Sequence, residues 1–173
     1  KYSARFILTA HTEDEQIETI MVNFLRGSGL KGLAGMQLKR GHYLKPLLTT
    51  RKEAVLAYLK KRRLPYCTDR MNSDLHIRRV FLRRKILPLC AAINPSYKGT
   101  ILRNARIFAE LDQWIGESAE AFLTKHRKSK KAHLFPLKVF LDLPAALRSR
   151  IIQEAYRFCT KNFYGLSSIR VAE

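Results

Sequence analysis

The residues from Arg5 to Met36 constrain this chain most: RFILTA followed by HTEDEQIETIMVNFLRGSGLKGLAGM. The apolar run Arg5–Ala10 reads as a short buried strand. Thr12 with Glu15 three residues on is a capping box: Thr12 satisfies an orphan amide and Glu15 reaches back to the Thr12 amide. Glu13, Asp14 and Glu15 fall in the first turn, where the helix dipole favours acids. Ile17, Ile20, Met21, Phe24 and Leu25 then recur at helical spacing and predict one core-facing stripe, with Gln16 and Glu18 turned to solvent. Gly27 is placed to end the helix in the left-handed region, and a loop with glycines at 27, 29, 32 and 35 follows. Strand, polar corner, helix and glycine loop in that order is how α/β proteins build sites at the ends of strands.

The next constraint is charge. Thirty-three basic residues against 14 acidic give +19, with a pI near 10.3. Such an excess repels itself unless a polyanion compensates, which points to nucleic acid or an anionic surface. The hydrophobic content of 46% over 173 residues argues for folded structure with one ordinary domain or two small ones. Cys67, Cys90 and Cys159 are scattered, with no CxxC pair, and read as small buried residues of a reducing compartment, with no metal site expected. No apolar run approaches a membrane span and no signal peptide is visible, so a cytoplasmic, membrane-free protein is expected. The sequence opens on Lys1, without Met, just before a strand, so an upstream part is expected.

Further along, Tyr43–Leu48 reads as an edge or terminal strand because it runs through Pro46. Thr50 with Glu53 suggests a second capping box, opening a helix to about Arg63 with Val55, Tyr58 and Leu59 inward. Its basic end, Lys60 to Arg63, suits a helix C-terminus. Asp69 and Asn72 in the turn that follows are placed to bond nearby backbone amides, and Asp74 to cap a helix ending before Pro88. That helix carries Arg78, Arg79, Arg83, Arg84 and Lys85, five cations in eight residues interleaved with apolar positions, which predicts one side on a core and the other facing anions. Asn94-Pro95 is the expected boundary. From Ser96 to about Lys125 one long helix fits, with Ile101, Ala105, Phe108, Ile115, Ala119 and Phe122 inside; a one-residue shift lets Leu111 fill the remaining place, so that Asp112 stays out. A basic loop at 125–131, an extended Phe135–Leu143 and a helix after Pro144 carrying Leu147, Ile151, Ala155 and Phe158 inward complete the pattern, that helix stopping around Asn162–Ser168.

With these residues laid out, the chain resembles bacterial tRNA(Ile)-lysidine synthetases, PP-loop ATPases of the N-type pyrophosphatase group. The resemblance rests on TAHTEDEQIET, on FLRGSGLKGLAGM, on KPLLTTRKEAVLAYL and on LPYCTDRMNSDLHIRRVFLRRKILPLCAAINP. It implies an α/β fold: the C-terminal part of a PP-loop (adenine nucleotide alpha hydrolase-like) domain at 1–93, a linker helix at 94–127 and a mostly helical tRNA-binding domain at 128–173, incomplete at its end. The implied reaction is ATP-dependent adenylation of the C2 oxygen of the wobble cytidine of a CAU-anticodon isoleucine tRNA, followed by displacement of AMP by free lysine. Codon reading then changes from AUG to AUA. ATP and Mg²⁺ are the implied cofactors, tRNA(Ile) and lysine the implied partners, and a homodimer is among the assemblies allowed. The family's SGGxDS phosphate loop does not occur in this sequence, so the resemblance implies a fragment that is inactive alone.

By position, His11, Asp14 and Glu15 match the family's catalytic text, although Thr12 replaces its second histidine and Glu15 an aspartate. Arg26, Gly27, Ser28 and Gly29 match the loop near ATP and the wobble base, where an arginine beside flexible amides suits phosphate or base; with His11 and Asp14 they are expected to form one wall of a cleft. Arg78, Arg79, Arg83, Arg84, Lys128, Lys130 and Lys131 are the expected tRNA contacts, while Val80 and the Asp-Arg-Met-Asn turn depart from the family text. Two other readings stand beside this one: a PP-loop enzyme that thiolates tRNA cytidine, disfavoured because CxxC is absent, and a non-catalytic tRNA- or rRNA-binding protein.

Overall fold

The computed structural model describes residues 3–126 and 134–160. The chain forms two compact units, Lys1–Ala109 and Glu110–Glu173. Among the described residues the first holds a small sheet with helices and the second is helical. The division falls inside a long helix rather than at Asn94-Pro95.

In unit 1, β1 (Ile7–Leu8) leads into α1 (Glu13–Leu25) and a short helix, α2 (Leu30–Leu33). Strands β2 (Lys39–Arg40) and β3 (Tyr43–Leu44) form a hairpin around Gly41, whose φ of +58° supplies the left-handed residue such a turn needs. The sheet order is β1-β3-β2, with Ile7 opposite Tyr43 in a parallel pair and Lys39 opposite Leu44 in an antiparallel one. Two expectations change here. The segment at Tyr43 is the central strand, not an edge, because Pro46 lies beyond the two residues that pair. Strand β1 is not buried: Ile7 and Leu8 are 49% and 66% exposed, so the apolar run marks a strand without supplying its cover.

Helix α1 buries Ile17 and Ile20, but its last turn carries Phe24 and Leu25 into solvent. The cover comes from Leu82 and Leu87, which pack on Ile17 with Met21, Val22, Ile86, Tyr97, Ile101 and Leu102 around them. Each aliphatic side chain so buried contributes about 1.5–3 kcal/mol. Leu82 and Leu87 belong to a composite helix: α4 (Arg78–Phe81), a π-helical turn (Leu82–Ile86) and α5 (Leu87–Ile93). Pro88 therefore does not stop the helix. It lies in the first turn of α5, just after the Leu87 amide bonds the carbonyl of Leu82, five residues back. Asp74 caps locally, accepting from the His76 amide at 2.9 Å, and the helix begins only at Arg78.

Between these lies α3 (Lys52–Lys61). Its N-cap is Arg51, not Thr50, whose carbonyl instead accepts the Glu13 amide at 2.9 Å. Tyr58 is exposed, contrary to its expected inward face, while Val55, Leu56 and Leu59 are half-buried. Cys67 and Cys159 are exposed and Cys90 half-buried, so the cysteines are not core residues.

The long helix, α6 (Tyr97–Lys125), forms as predicted. It gives Ala105 to the interior of unit 1, and Ala119 and Leu123 to the core of unit 2. Leu111 is exposed and Asp112 half-buried on Arg150 at 3.0 Å, the reverse of the expected phase, because the helix keeps its 3.6-residue period and an ion pair satisfies the acid. Phe135–Leu143 is not extended but contains α7 (Leu137–Leu141); α8 (Ala145–Thr160) follows and buries Ile151. Phe122, Phe135 and Phe140 close the core of unit 2, with ring centroids 5.2 Å apart in each successive pair. The loop carrying Lys128, Lys130 and Lys131 and the stop at Asn162–Ser168 lie outside the described residues. Among the described residues no helix is long and apolar enough to cross a membrane.

Candidate functional site

Unit 1 contains a cleft of about 530 Å³ where α1, α3, the 3₁₀ turn Arg70–Ser73, the composite helix and the start of α6 converge. Asp14, Glu15, Glu18 and Glu53 line it, so four of the chain's 14 acids meet in one cavity of a chain of charge +19. Lys52, Arg83 and Lys98 are on the same walls.

Asp14 is brought there by the first turn of α1 and holds two groups. Its Oδ2 accepts the Lys52 amide at 2.9 Å, so it caps α3 from another helix, and Lys98 Nζ donates to its Oδ1 at 2.6 Å. Burial alone would raise the Asp14 carboxyl, but hydrogen bonds from Lys98 and the Lys52 amide outweigh it and hold it below the ordinary carboxylate value. The bond to Asp14 raises Lys98 in turn. Burial raises the neighbouring Tyr97 phenol. Glu15 closes the predicted capping box, accepting from the Thr12 amide at 2.8 Å and its hydroxyl at 3.2 Å.

Glu18 corrects a sequence expectation outright. Its exposure is 1%, and both carboxylate oxygens accept from Arg83, at 2.6 Å from Nε and 3.1 Å from Nη2. Arg83 Nη1 also donates to Asn72 Oδ1 at 3.3 Å. Asn72 thus serves Arg83 and not a backbone amide, whereas Asp69 does accept the Met71 amide as expected. The Glu18 hydrogen bonds push the Arg83 guanidinium further up, fixing its charge. Of the five cations on this helix, Arg83 therefore turns inward, while Arg78, Arg79, Arg84 and Lys85 stay exposed and Arg84 Nη2 reaches Ser73 Oγ at 3.4 Å.

The glycine loop has its own logic. Gly27 has φ of +74°, its amide bonds Phe24 O, and the Ser28 amide bonds Asn23 O, both at 3.0 Å. That is a Schellman stop. Because the Arg26 amide also bonds Val22 O, the amides of Arg26, Gly27 and Ser28 are taken by helix carbonyls, and the expected cradle of flexible amides is not formed. Two amide side chains seven residues apart on α1 tie the loop down. Asn23 Nδ2 donates to Gly32 O at 2.8 Å; Gln16 donates to Met36 O at 3.0 Å and accepts its amide at 2.8 Å. Gln16 is accordingly buried, not solvated. A Cβ on Gly35 would stand 2.7 Å from Gln16 Nε2, and one on Gly32 2.5 Å from Ser28 Cβ. Gly29 differs: with φ of −71° and nothing within 4 Å of an added Cβ, no feature of the fold requires glycine there.

The structure thus brings Asp14, Glu15 and Arg83 into one cleft. His11, its Nδ1 2.9 Å from Thr9 Oγ1, does not line it, nor do Arg26, Gly27, Ser28 and Gly29. Sequence reasoning missed Glu18, Lys98 and Asn72; Glu18, three residues after Glu15 and four after Asp14, shares their helix face and carried the available signal. Among the described residues no group of three or more His, Cys, Asp or Glu is placed to hold a metal ion.

Comparison with known proteins is informative for both units. The chain is 37% identical over 114 residues to the tRNA(Ile)-lysidine synthase of Francisella tularensis subsp. tularensis strain SCHU S4, covering 64% of this chain and 29% of that protein. It is 31% identical over 173 residues to the enzyme of the same name from Idiomarina loihiensis, covering 95% and 38%. To that of Coxiella burnetii it is 34% identical over 135 residues, covering 76% and 30%. The chain therefore spans about three to four tenths of the length of these relatives. Residues 1–90, more than half of the chain, match the family described as the PP-loop domain, and the chain belongs to that family.

Proposed function

We propose that this chain is part of a tRNA(Ile)-lysidine synthase, an ATP-dependent carbon–nitrogen ligase that joins free lysine to C2 of the wobble cytidine of tRNA(Ile). The observation that carries the reading is the acid-lined cleft between α1, α3 and the composite helix in a chain of charge +19. Such a chain draws in RNA through its surface yet keeps one cavity where a cationic amine is welcome. Asp14 and Glu18 already have cationic partners, so a lysine ammonium would meet Glu15 and Glu53. A volume of about 530 Å³ is in the range of small-molecule sites. The family implies ATP; with the 26–28 amides taken up, phosphate contact from this loop falls to the Arg26 guanidinium. Mg²⁺, implied together with ATP, would accompany the triphosphate. Arg78, Arg79 and Arg84, with Lys128, Lys130 and Lys131, would lie against tRNA phosphates in a cytoplasmic enzyme, and the helices after the linker would be a tRNA-binding domain.

The test gives the protein carrying this chain ATP, labelled lysine and a tRNA(Ile) transcript with a CAU anticodon. Label on the transcript, absent when the wobble cytidine is changed to uridine, is the expected result. Label transfer indifferent to that base, or RNA binding with no lysine transfer, would sink the proposal.

A further inference from the structure

Helix α3 ends in Lys60, Lys61, Arg62 and Arg63, all exposed. The helix dipole accounts for one or two cations at a C-terminus, since its partial charge is about half an electron. Four adjacent ones repel each other, and no described acid pairs with them. On the same face one turn earlier stands Tyr58, 56% exposed, with the Arg62 guanidinium over its ring at 5.7 Å from the centroid. Tyr66, just past the helix, is 57% exposed. Val55 and Leu56 of the same helix line the cleft. From those residues to the basic end is about 10 Å along the axis, at about 1.5 Å per residue.

We infer that the C-terminal end of α3, Tyr58 with Lys60–Arg63, is a second RNA-contact surface, taking an unpaired nucleotide and its phosphates near the cleft. Aromatic rings stack bases irrespective of sequence, and an arginine plane on one side of a tyrosine extends the platform. Lysines flanking it meet the backbone. The inference rests on the RNA substrate proposed above but goes beyond the cations that the sequence singles out for RNA.

The experiment measures binding of the tRNA(Ile) transcript, and of its anticodon stem-loop alone, to the whole chain across about 50–200 mM salt. Tyr58→Ala should weaken stem-loop binding about 5- to 100-fold with an unchanged salt slope, as loss of one stacked base does. Lys60→Ala with Lys61→Ala should instead flatten the slope by about 1.5. Circular dichroism verifies that both variants keep the helical content of the parent. Wild-type affinity and slope in both variants, with binding lost in Arg78→Ala/Arg79→Ala, would overturn this surface while leaving the RNA reading intact. No binding by the unsubstituted chain would overturn both. Binding of the patch to phosphatidylserine vesicles, lost in the lysine variant while RNA binding persists, would assign the surface to a membrane and overturn the inference.

Discussion

Arg83→Met tests the most consequential difference between sequence and structure. Facing RNA, Arg83 would add one phosphate contact and nothing to stability. The structure instead gives it both oxygens of Glu18, whose side chain is 2% exposed. Removing the guanidinium leaves a buried carboxylate without a partner, which costs about 3–5 kcal/mol. Arg83 itself is 35% exposed, so water reaches one side of the pair and the cost belongs near 3 kcal/mol. Against a total stability of about 5–15 kcal/mol that is a large fraction, and the midpoint should fall by roughly 10 °C. Thermal and urea unfolding followed by circular dichroism measure it. The double variant Glu18→Gln with Arg83→Met removes both charges and should recover part of the loss, because the coupling lies in the pair. If Arg83→Met stays within about 0.5 kcal/mol of the parent while its tRNA salt slope falls by about 0.7–0.9, Arg83 faces RNA and the reasoning fails.

Other perturbations read other parts of unit 1. Gly35→Ala sets a Cβ 2.7 Å from Gln16 at φ of +73° and should cost about 2 kcal/mol or more in chemical denaturation, while Gly29→Ala should be neutral; equal effects would deny the loop its close approach. Lys98→Met should destabilise by an amount that depends on pH. The depressed Asp14 carboxyl lends stability above its ordinary value near 4 and loses it as pH falls through the folded value below that. The raised Lys98 lends stability below about 10.5 and loses it as pH rises through its higher folded value. The gap between parent and variant should be level from about pH 5 to 10 and narrow towards both ends; a gap that does not change as pH falls below the ordinary carboxylate range would show that the pair is not its source.

How much of this was legible depended on whether a signal was local. The capping box at Thr12, the stop at Gly27 and the whole of α6 follow from spacing alone, and the structure has them. An amphipathic pattern assigns polar side chains to water, yet Glu18 and Gln16 are buried. Their partners, Arg83 and Met36, lie 65 and 20 residues away, and nothing in a helical period reports a distant ion pair. The Thr50–Glu53 box failed for a related reason: an acid on another helix, Asp14, accepts the Lys52 amide at the start of α3. The exposed strand and the bare last turn of α1 show the converse limit, since an apolar run predicts a face but not what covers it.

The π-helical turn at Leu82–Ile86 reconciles a core with a charge. Leu82 and Leu87 both pack on Ile17, yet they are five residues apart, which at about 100° per residue of α-helix sets them about 140° from one another. A wider turn with its bond from Leu87 back to Leu82 brings both to one side, and Arg83 beside Leu82 then reaches Glu18. The turn behaves as one extra residue in a helix, and the exposed Arg84 and Lys85 are where the excess is carried. Deleting Lys85 should therefore return the segment to α-helix with the two leucines four apart on one face, and the chain should fold with its midpoint only a few degrees lower. Leu82→Ala, which empties the same site, should cost about 2–5 kcal/mol. If the deletion destabilises as much as the alanine, the leucine pair is not what the wide turn serves, and Pro88, which donates no amide hydrogen bond back along the helix, becomes its cause.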